Sequence, residues 1–296
     1  MLKTIQDINN FEYPPADGCG LPLTINNQPI GFIRSSIIQH LPSSIFKIHA
    51  DKIEFADVAD KTSAVADLLS IWRASTASIP EFQCLKGWRN EVYAVYENDG
   101  SVVFGVERAA QGLFGIRSYG CHLNGYVRDL ADGSIKMWIA KRSLQKQTWP
   151  GYLDNIVGGG LPAGASPTAN MIKECAEEAS IPGHIASKCI PVSSISYFAN
   201  SPSRGLLPDT EYIYDLELTA DFIPKPSDGE VDSFYLWDLE TIARHVVDGK
   251  FMPESGCVVI DFLVRHGHVT PENEVDYLDI VTELRRKLPF PGPKYK

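Results

Sequence analysis

The sequence predicts a mixed α/β sandwich preceded by a smaller α+β domain, and three observations carry that expectation. Two pairs of alternating segments are joined by turn residues: Asn98-Asp99-Gly100 links EVYAVYE to SVVFGVER, and Ala131-Asp132-Gly133 links CHLNGYV to IKMWIAK. Beyond residue 150, strand patterns near 152–157, 192–199, 210–218 and 233–238 are interleaved with helical patterns near 239–248 and 256–266, as expected for helices layered on a sheet. Between them, the triple glycine Gly158, Gly159 and Gly160 leads into a short helix that is rich in glutamate.

Taken in order, residues 60–76 carry a helical pattern, and the hairpin of 91–107 follows. The stretch GLFGIRSYG at 112–120 holds three glycines and is the expected boundary, which gives an N-terminal α+β domain over 1–115 and a second domain over 116–296. The second hairpin and the glycine turn come next. Ser166 is placed to cap the following helix and Pro167 to open it, while Pro182-Gly183 closes the run. On that helix Ile172, Cys175, Ala176 and Ala179 recur at i, i+3, i+4, i+7 and predict a narrow apolar stripe that packs on a sheet. The segment PENEVDYLDIVTELRRKL predicts a C-terminal capping helix that Pro289 stops. Internal repeats and low-complexity tracts are absent from the sequence.

Composition narrows the function classes. The chain has 296 residues, of which 44% are hydrophobic, enough for one large core or two ordinary ones. A formal net charge of -10 argues against general binding to nucleic acid, whose phosphate backbone requires a basic footprint. The six cysteines form no C-x-x-C pair, so reduced thiols are expected rather than a zinc cluster or a disulfide framework. No stretch has the apolar length to span a membrane, and the N-terminus lacks an apolar run of signal length; cytoplasmic residence is the expectation. The triple glycine precedes no G-K-[ST] and does not match the dinucleotide spacing, which excludes a P-loop and a dinucleotide fingerprint.

Glu174, Glu177 and Glu178 crowd one side of the helix at about 100° per residue. Carboxylates so close repel unless a positive charge sits among them, and a divalent metal is the simplest candidate. Glycines beside such a helix let the backbone approach an ion or a phosphate. An acidic helix face is more often a solvated surface, so the glycines tip the reading toward chemistry.

The stretch from Gly159 to Ile181 resembles the Nudix box, G-x5-E-x7-R-E-U-x-E-E-x-G-U, where U is aliphatic. Gly159 takes the first position, Glu174 the glutamate after the arginine, Glu177 and Glu178 the glutamate pair, and Ile181 the last aliphatic. Four positions depart from it: Ala165 for the first glutamate, Lys173 for arginine, Cys175 for the aliphatic residue and Ser180 for the second glycine. Further text, YLDNIVGGG at 152–160, PDTEYIYDLEL at 208–218, DGEVDSFYLW at 228–237 and IDFLVRHG at 260–267, is similar to the branch containing the N-terminal part of fungal thiamine pyrophosphokinases and related plant Nudix hydrolases.

That resemblance implies a Nudix α/β/α sandwich with a mixed sheet and a pyrophosphatase that removes phosphate from thiamine diphosphate or its oxo and oxy analogues. Magnesium, with manganese as the alternative, would be held by Glu174 and Glu178, with Glu177 completing the site and the carbonyl of Gly158 adding an oxygen. The base that activates water falls to Glu177 or to Glu230 in PSDGEVDSF. Arg204 is a candidate to grip phosphate through its fork of donors, and Arg117 and His122 to face the pocket, against structural roles for each. His266 and His268 read as helix-end polarity, and Trp88, Trp149 and Trp237 as core rather than ring-stacking residues. Two other functions stay open: hydrolysis of another diphosphate, such as a nucleoside diphosphate derivative, and a non-catalytic module, suggested by Ala165, Lys173 and Ser180. The partner expected is a small-molecule diphosphate; whether the first domain closes over it or joins two chains in a homodimer is open.

Overall fold

The computed structural model describes residues 1–16 and 18–295. After a first helix, α1 (Leu2–Ile8), the chain forms β1 (Gly20–Ile25), β2 (Gln28–Arg34), α2 (Ser35–Ile38), β3 (Phe46–Ile48) and β4 (Ile53–Phe55), a sheet of order β2-β1-β4-β3. The predicted helix is α3 (Lys61–Ala74), capped by the Asp60 carboxylate. A 3-10 helix (Pro80–Gly87) leads to the predicted hairpin, β5 (Val92–Tyr96) and β6 (Val102–Glu107). A second 3-10 turn (Arg108–Ala110) and α4 (Gln111–Phe114) follow. Residues of these elements between Leu23 and Ile116 share one apolar cluster built around Trp72, Phe82 and Phe114, whose rings stack.

The larger sheet is mixed. It comprises β7 (Ser118–Arg128), β8 (Ile135–Arg142), β9 (Leu153–Asn155), β10 (Val157–Gly160), β11 (Ile190–Ser201), β12 (Gly205–Glu217) and β13 (Val231–Asp238). Its main order is β11-β12-β7-β8-β13, with β10 on β7, β9 on β8, and β7 parallel to β12. Successive residues of a strand face opposite sides, and here both sides are covered. Met137, Ile139 and Ile213 join a cluster with α7 (Leu239–Val247) and α8 (Pro253–Arg265), whereas Leu123, Trp138 and Tyr214 pack with α5 (Pro167–Ala179) and the short α6 (Gly183–Ala186). The result is the expected α/β/α sandwich.

Several elements depart from the sequence reading. The glycine turn is β10, an extended strand, and the 152–157 run divides at Ile156 because β9 pairs with β8 and β10 with β7. The apolar stripe of α5 is rotated by part of a turn: Met171, Cys175, Glu178 and Ala179 are buried, while Ala176 is exposed. Glu178 therefore lies on the buried face, Glu174 at its edge and Glu177 outside. The C-terminal helix is only α9 (Tyr277–Glu283), because the Ser196 amide on the edge of β11 captures the Leu284 carbonyl and pulls the backbone out of the helix. Ser180 caps α5 in the left-handed conformation (φ 53°), and its hydroxyl donates to the Lys225 carbonyl, an anchor that glycine would not supply.

Helix α1 packs away from the small sheet. Ile5 and Ile8 join α8 and α9 in the larger core, and the Asn9 side chain accepts from the Phe198 amide. Ile5 is 1% exposed, so Ile5→Ala should cost roughly 2–4 kcal/mol of stability. Denaturant unfolding checks it, and an unchanged midpoint would mean that α1 does not dock on this core.

Candidate active site

A cavity of about 1250 Å³ opens where β7, β10, β12 and α5 meet the end of the β5–β6 hairpin. Glycines shape its floor. In β10, Gly158 pairs with His122, Gly159 with Cys121 and Gly160 with Gly120 of β7. A Cβ on Gly158 would lie 2.9 Å from His122 Nδ1; on Gly159, 2.6 Å from Glu174 Cδ; on Gly160, 2.1 Å from Tyr93 Oη. None of the three has a positive φ. Glycine is required here for close approach by three different side chains, and left-handed backbone plays no part.

The acids converge on this floor. Glu178 is 6% exposed and accepts a 2.9 Å hydrogen bond from the Gly158 amide. Burial pushes its carboxyl well above the usual carboxylate range, opposed by the Gly158 N–H and reinforced by the negative charge of Asp154. Glu174 is also raised, by burial first and then by Glu177 and Glu230, against the pull of Lys173. Glu178, Asp228 and Glu230 each present a ligand oxygen, all within 4.8 Å of one another. Burial would raise Glu230, yet Lys146 pairs with it and holds it below its ordinary value. Raised carboxyls beside mutually close oxygen atoms are the electrostatic signature of a place that a divalent cation would stabilise. The donor set fits such an ion: hard oxygens, a backbone strand with its carbonyls alongside, and no thiolate within the group.

Lys173 stands where the box has arginine, and it bridges Glu177 at 2.6 Å and Glu174 at 3.3 Å. Glu177 is the exposed member, its side chain 49% accessible. Ala165, in place of the first glutamate, packs against the apolar cluster beneath α5. The lysine thus takes its carboxylate partners from its own helix.

A second group of acids, carried by β12 and α8, also lines the cavity. Glu211 on β12 is buried; the Tyr197 hydroxyl donates to its Oε1 at 3.3 Å, and its Oε2 has no hydrogen-bond partner among the described residues. That oxygen lies 3.6 Å from His122 Nε2 and would be 2.1 Å from a Cβ on Gly120. Burial, then Asp209 and Glu254, raise its carboxyl well above the usual range. His122 Nδ1 is 2.8 Å from Asn155 Oδ1, a contact that assigns the proton to Nδ1 and turns Nε2 toward Glu211.

Of the residues singled out from the sequence, Glu174, Glu177, Glu178, Glu230, Gly158, Arg204 and His122 all line the cavity. Arg117 does not: its guanidinium binds Thr210 Oγ1 at 2.9 and 3.0 Å and the Phe290 carbonyl at 3.3 Å, joining strand to C-terminal tail. Asp228, Asp209, Glu211, Glu254 and Arg108 went unremarked. Asp209 and Glu211 lie two apart on β12, but Asp215 and Glu217 follow at the same period, so nothing local singles the first two out. Trp149, expected in the core, is on the cavity wall, and Trp88 and Trp237 are half-buried.

A floor of glycine under clustered carboxylates, walled by cationic side chains, suits a divalent ion and an anionic phosphate ligand. The chain is 38% identical to Nudix hydrolase 20, chloroplastic, of Arabidopsis thaliana over 90% of its own length and 73% of that protein's. It is 44% identical to an uncharacterized protein of Saccharomyces cerevisiae over 70% of its length and 64% of the yeast protein's, so the match spans somewhat less than two thirds of that relative. Residues 1–118 match a family described as a domain of unknown function, DUF4743. The crystal structure of DR0079 from Deinococcus radiodurans, 21% identical, aligns with 54% of this chain and 91% of its own at a TM-score of 0.41. The chain belongs to the Nudix hydrolase family.

Because a methyl at position 159 would displace Glu174, Gly159→Ala should weaken Mn2+ binding by about tenfold or more, the loss of one carboxylate contact. Titration calorimetry on the folded variant reads it. Equal affinity in the two proteins would remove Glu174 from the ion.

Proposed function

We propose that this chain is a Mg2+-dependent hydrolase of thiamine diphosphate or its oxo and oxy analogues, releasing the monophosphate and inorganic phosphate. The observation that carries the reading is the cavity's division into two unlike zones. One presents Glu174, Glu178, Asp228 and Glu230 beside the glycine strand, suited to an ion that neutralises a diphosphate. The other presents Glu211, Asp209 and Glu254 with Tyr197, suited to a cationic ring bearing N–H donors. Trp149 on the cavity wall adds aromatic surface against which such a ring can stack.

In this reading Glu174 and Glu178 hold the ion, with the Gly158 carbonyl beside them and Glu177 completing the charge. When bound, Mg2+ supplies charge neutralisation at the phosphoryl oxygens and alignment of the attacking water. The water adds to the terminal phosphorus as the bond to the bridging oxygen breaks, and the departing monophosphate keeps that electron pair. Glu177 or Glu230 accepts the proton. The Lys146 ion pair supports Glu230, because it keeps that carboxylate ionised despite burial. Arg204, in the turn between β11 and β12, and His122, packed against Gly158, also face the substrate in this reading.

We also propose a division of the chain near residue 115, supported by the separate apolar cluster of residues 23–116, and cytoplasmic residence, supported by six free cysteines. The plant relative carries the word chloroplastic in its name. No helix of the described residues is long and apolar enough to cross a membrane.

With Mg2+ and thiamine diphosphate or its oxo form, the protein should release phosphate, and Glu178→Gln should lower kcat by roughly 100-fold or more while the fold persists. Glu177→Gln and Glu230→Gln, compared under the same conditions, assign the base to the one with the larger fall in kcat. No phosphate from any thiamine species, with turnover of a nucleoside diphosphate derivative instead, would overturn the substrate.

A further inference from the structure

The geometry points to a role for the N-terminal unit that matches the domain of unknown function: it delivers Arg108 into the hydrolase cavity as the group that grips the substrate's diphosphate oxygens. The inference rests on the diphosphate-hydrolase reading and deepens it, since it assigns the anion-recognising side chain to the part of the chain outside the Nudix box.

Position comes first. Arg108 directly follows β6, at the start of the second 3-10 turn, and its guanidinium reaches across to the last glycine of β10. A Cβ on Gly160 would come 3.1 Å from both Arg108 Cζ and Nη1, as well as 2.1 Å from Tyr93 Oη. The strand carrying the metal-side glycines therefore has no side chain at the point where the guanidinium arrives. Arg108 lies in the same cavity as Glu230 and Glu211.

Fixation and availability come next. Nη1 donates to Glu91 Oε2 at 2.9 Å, and the guanidinium lies over the Tyr93 ring at 5.6 Å from its centroid. These contacts orient a planar fork of five donors. Among the described residues Glu91 is its one hydrogen-bond partner, so Nε and Nη2 have donors free, and the side chain is 35% exposed. Lys86, Arg89 and Arg204 also line the cavity, but Arg108 is the cation that abuts Gly160 of the glycine strand, and the cations nearest the carboxylates are paired. Arg142 is locked to Asp154 and to the carbonyls of Thr148 and Trp149, Lys146 to Glu230, and Lys173 to Glu177. An anion entering this carboxylate-rich cavity requires a cation with donors to spare, and a preoriented guanidinium matches phosphate oxygens in pairs.

The test separates binding from turnover. Imidodiphosphate, a non-hydrolysable diphosphate, is titrated calorimetrically into the full-length protein with saturating Mg2+, for wild type, Arg108→Ala and Arg108→Lys. Losing a charge-assisted pair of hydrogen bonds should weaken imidodiphosphate about 10- to 100-fold in Arg108→Ala, with partial recovery in Arg108→Lys. Mg2+ affinity measured alone should stay within about threefold, and with a hydrolysed substrate KM should rise more than kcat falls. If Arg108→Ala fails to fold, Arg108→Lys still reads out, because lysine keeps the charge and loses the fork. Imidodiphosphate bound equally by wild type and both variants, or not bound by wild type, overturns the inference. Arg108-dependent binding in a protein inert toward every thiamine species supports it while defeating the substrate reading alone.

Discussion

Everything at the site depends on the pairing of β10 with β7 through glycine. Four glycines meet there, Gly158, Gly159 and Gly160 on one strand and Gly120, opposite Gly160, on the other, and each makes room for a different side chain. His122, Glu174, Tyr93 and Glu211 come from β7, α5, β5 and β12, elements far apart in sequence. Strand pairing fixes backbone positions to within a fraction of an ångström, so side chains leaning on bare backbone are held as firmly as the strand itself. A single methyl group at any of these positions would displace one member of the constellation.

The same arrangement concentrates negative charge where water is scarce. Burial and mutual repulsion raise the carboxyls of Glu174, Glu178 and Glu211, a cost that the fold offsets only in part with Lys146, Lys173 and the Gly158 amide. Buried carboxyls shifted in this way cluster at functional sites. At the positions that depart from the box, Lys173 pairs along its own helix with Glu177 and Glu174, and Ala165 packs against the apolar cluster beneath α5.

Much of the acidic helix was legible. Ser166 and Pro167 define a capped helix start by local rules, and the structure reproduces it, although the helix ends at Ala179, ahead of Pro182-Gly183. Its rotation was not legible, because an apolar stripe at Ile172, Cys175, Ala176 and Ala179 looks the same on paper as one at Met171, Cys175 and Ala179. The difference decides which glutamate is buried. Likewise the strand character of β10 was hidden, since three glycines suggest a turn unless the side chains that need the space are known. The C-terminal helix is shorter than its pattern suggests because its competitor, the open edge of β11, lies about 90 positions away in the chain (Ser196 to Arg285).

The sequence by itself determined the class: period-2 and period-3.6 patterns specify layers of sheet and helix, and the order of glycine and glutamate types marks the box, because such signals are local and need no partner. Only the tertiary structure decided which charges meet. Glu211, Asp228 and Arg108 carry no local signature of a role, and they acquire one through β7 running beside β12 and through the hairpin of the N-terminal unit reaching the glycine strand. Electrostatic energy depends on separation in space, which residue order along the chain does not encode.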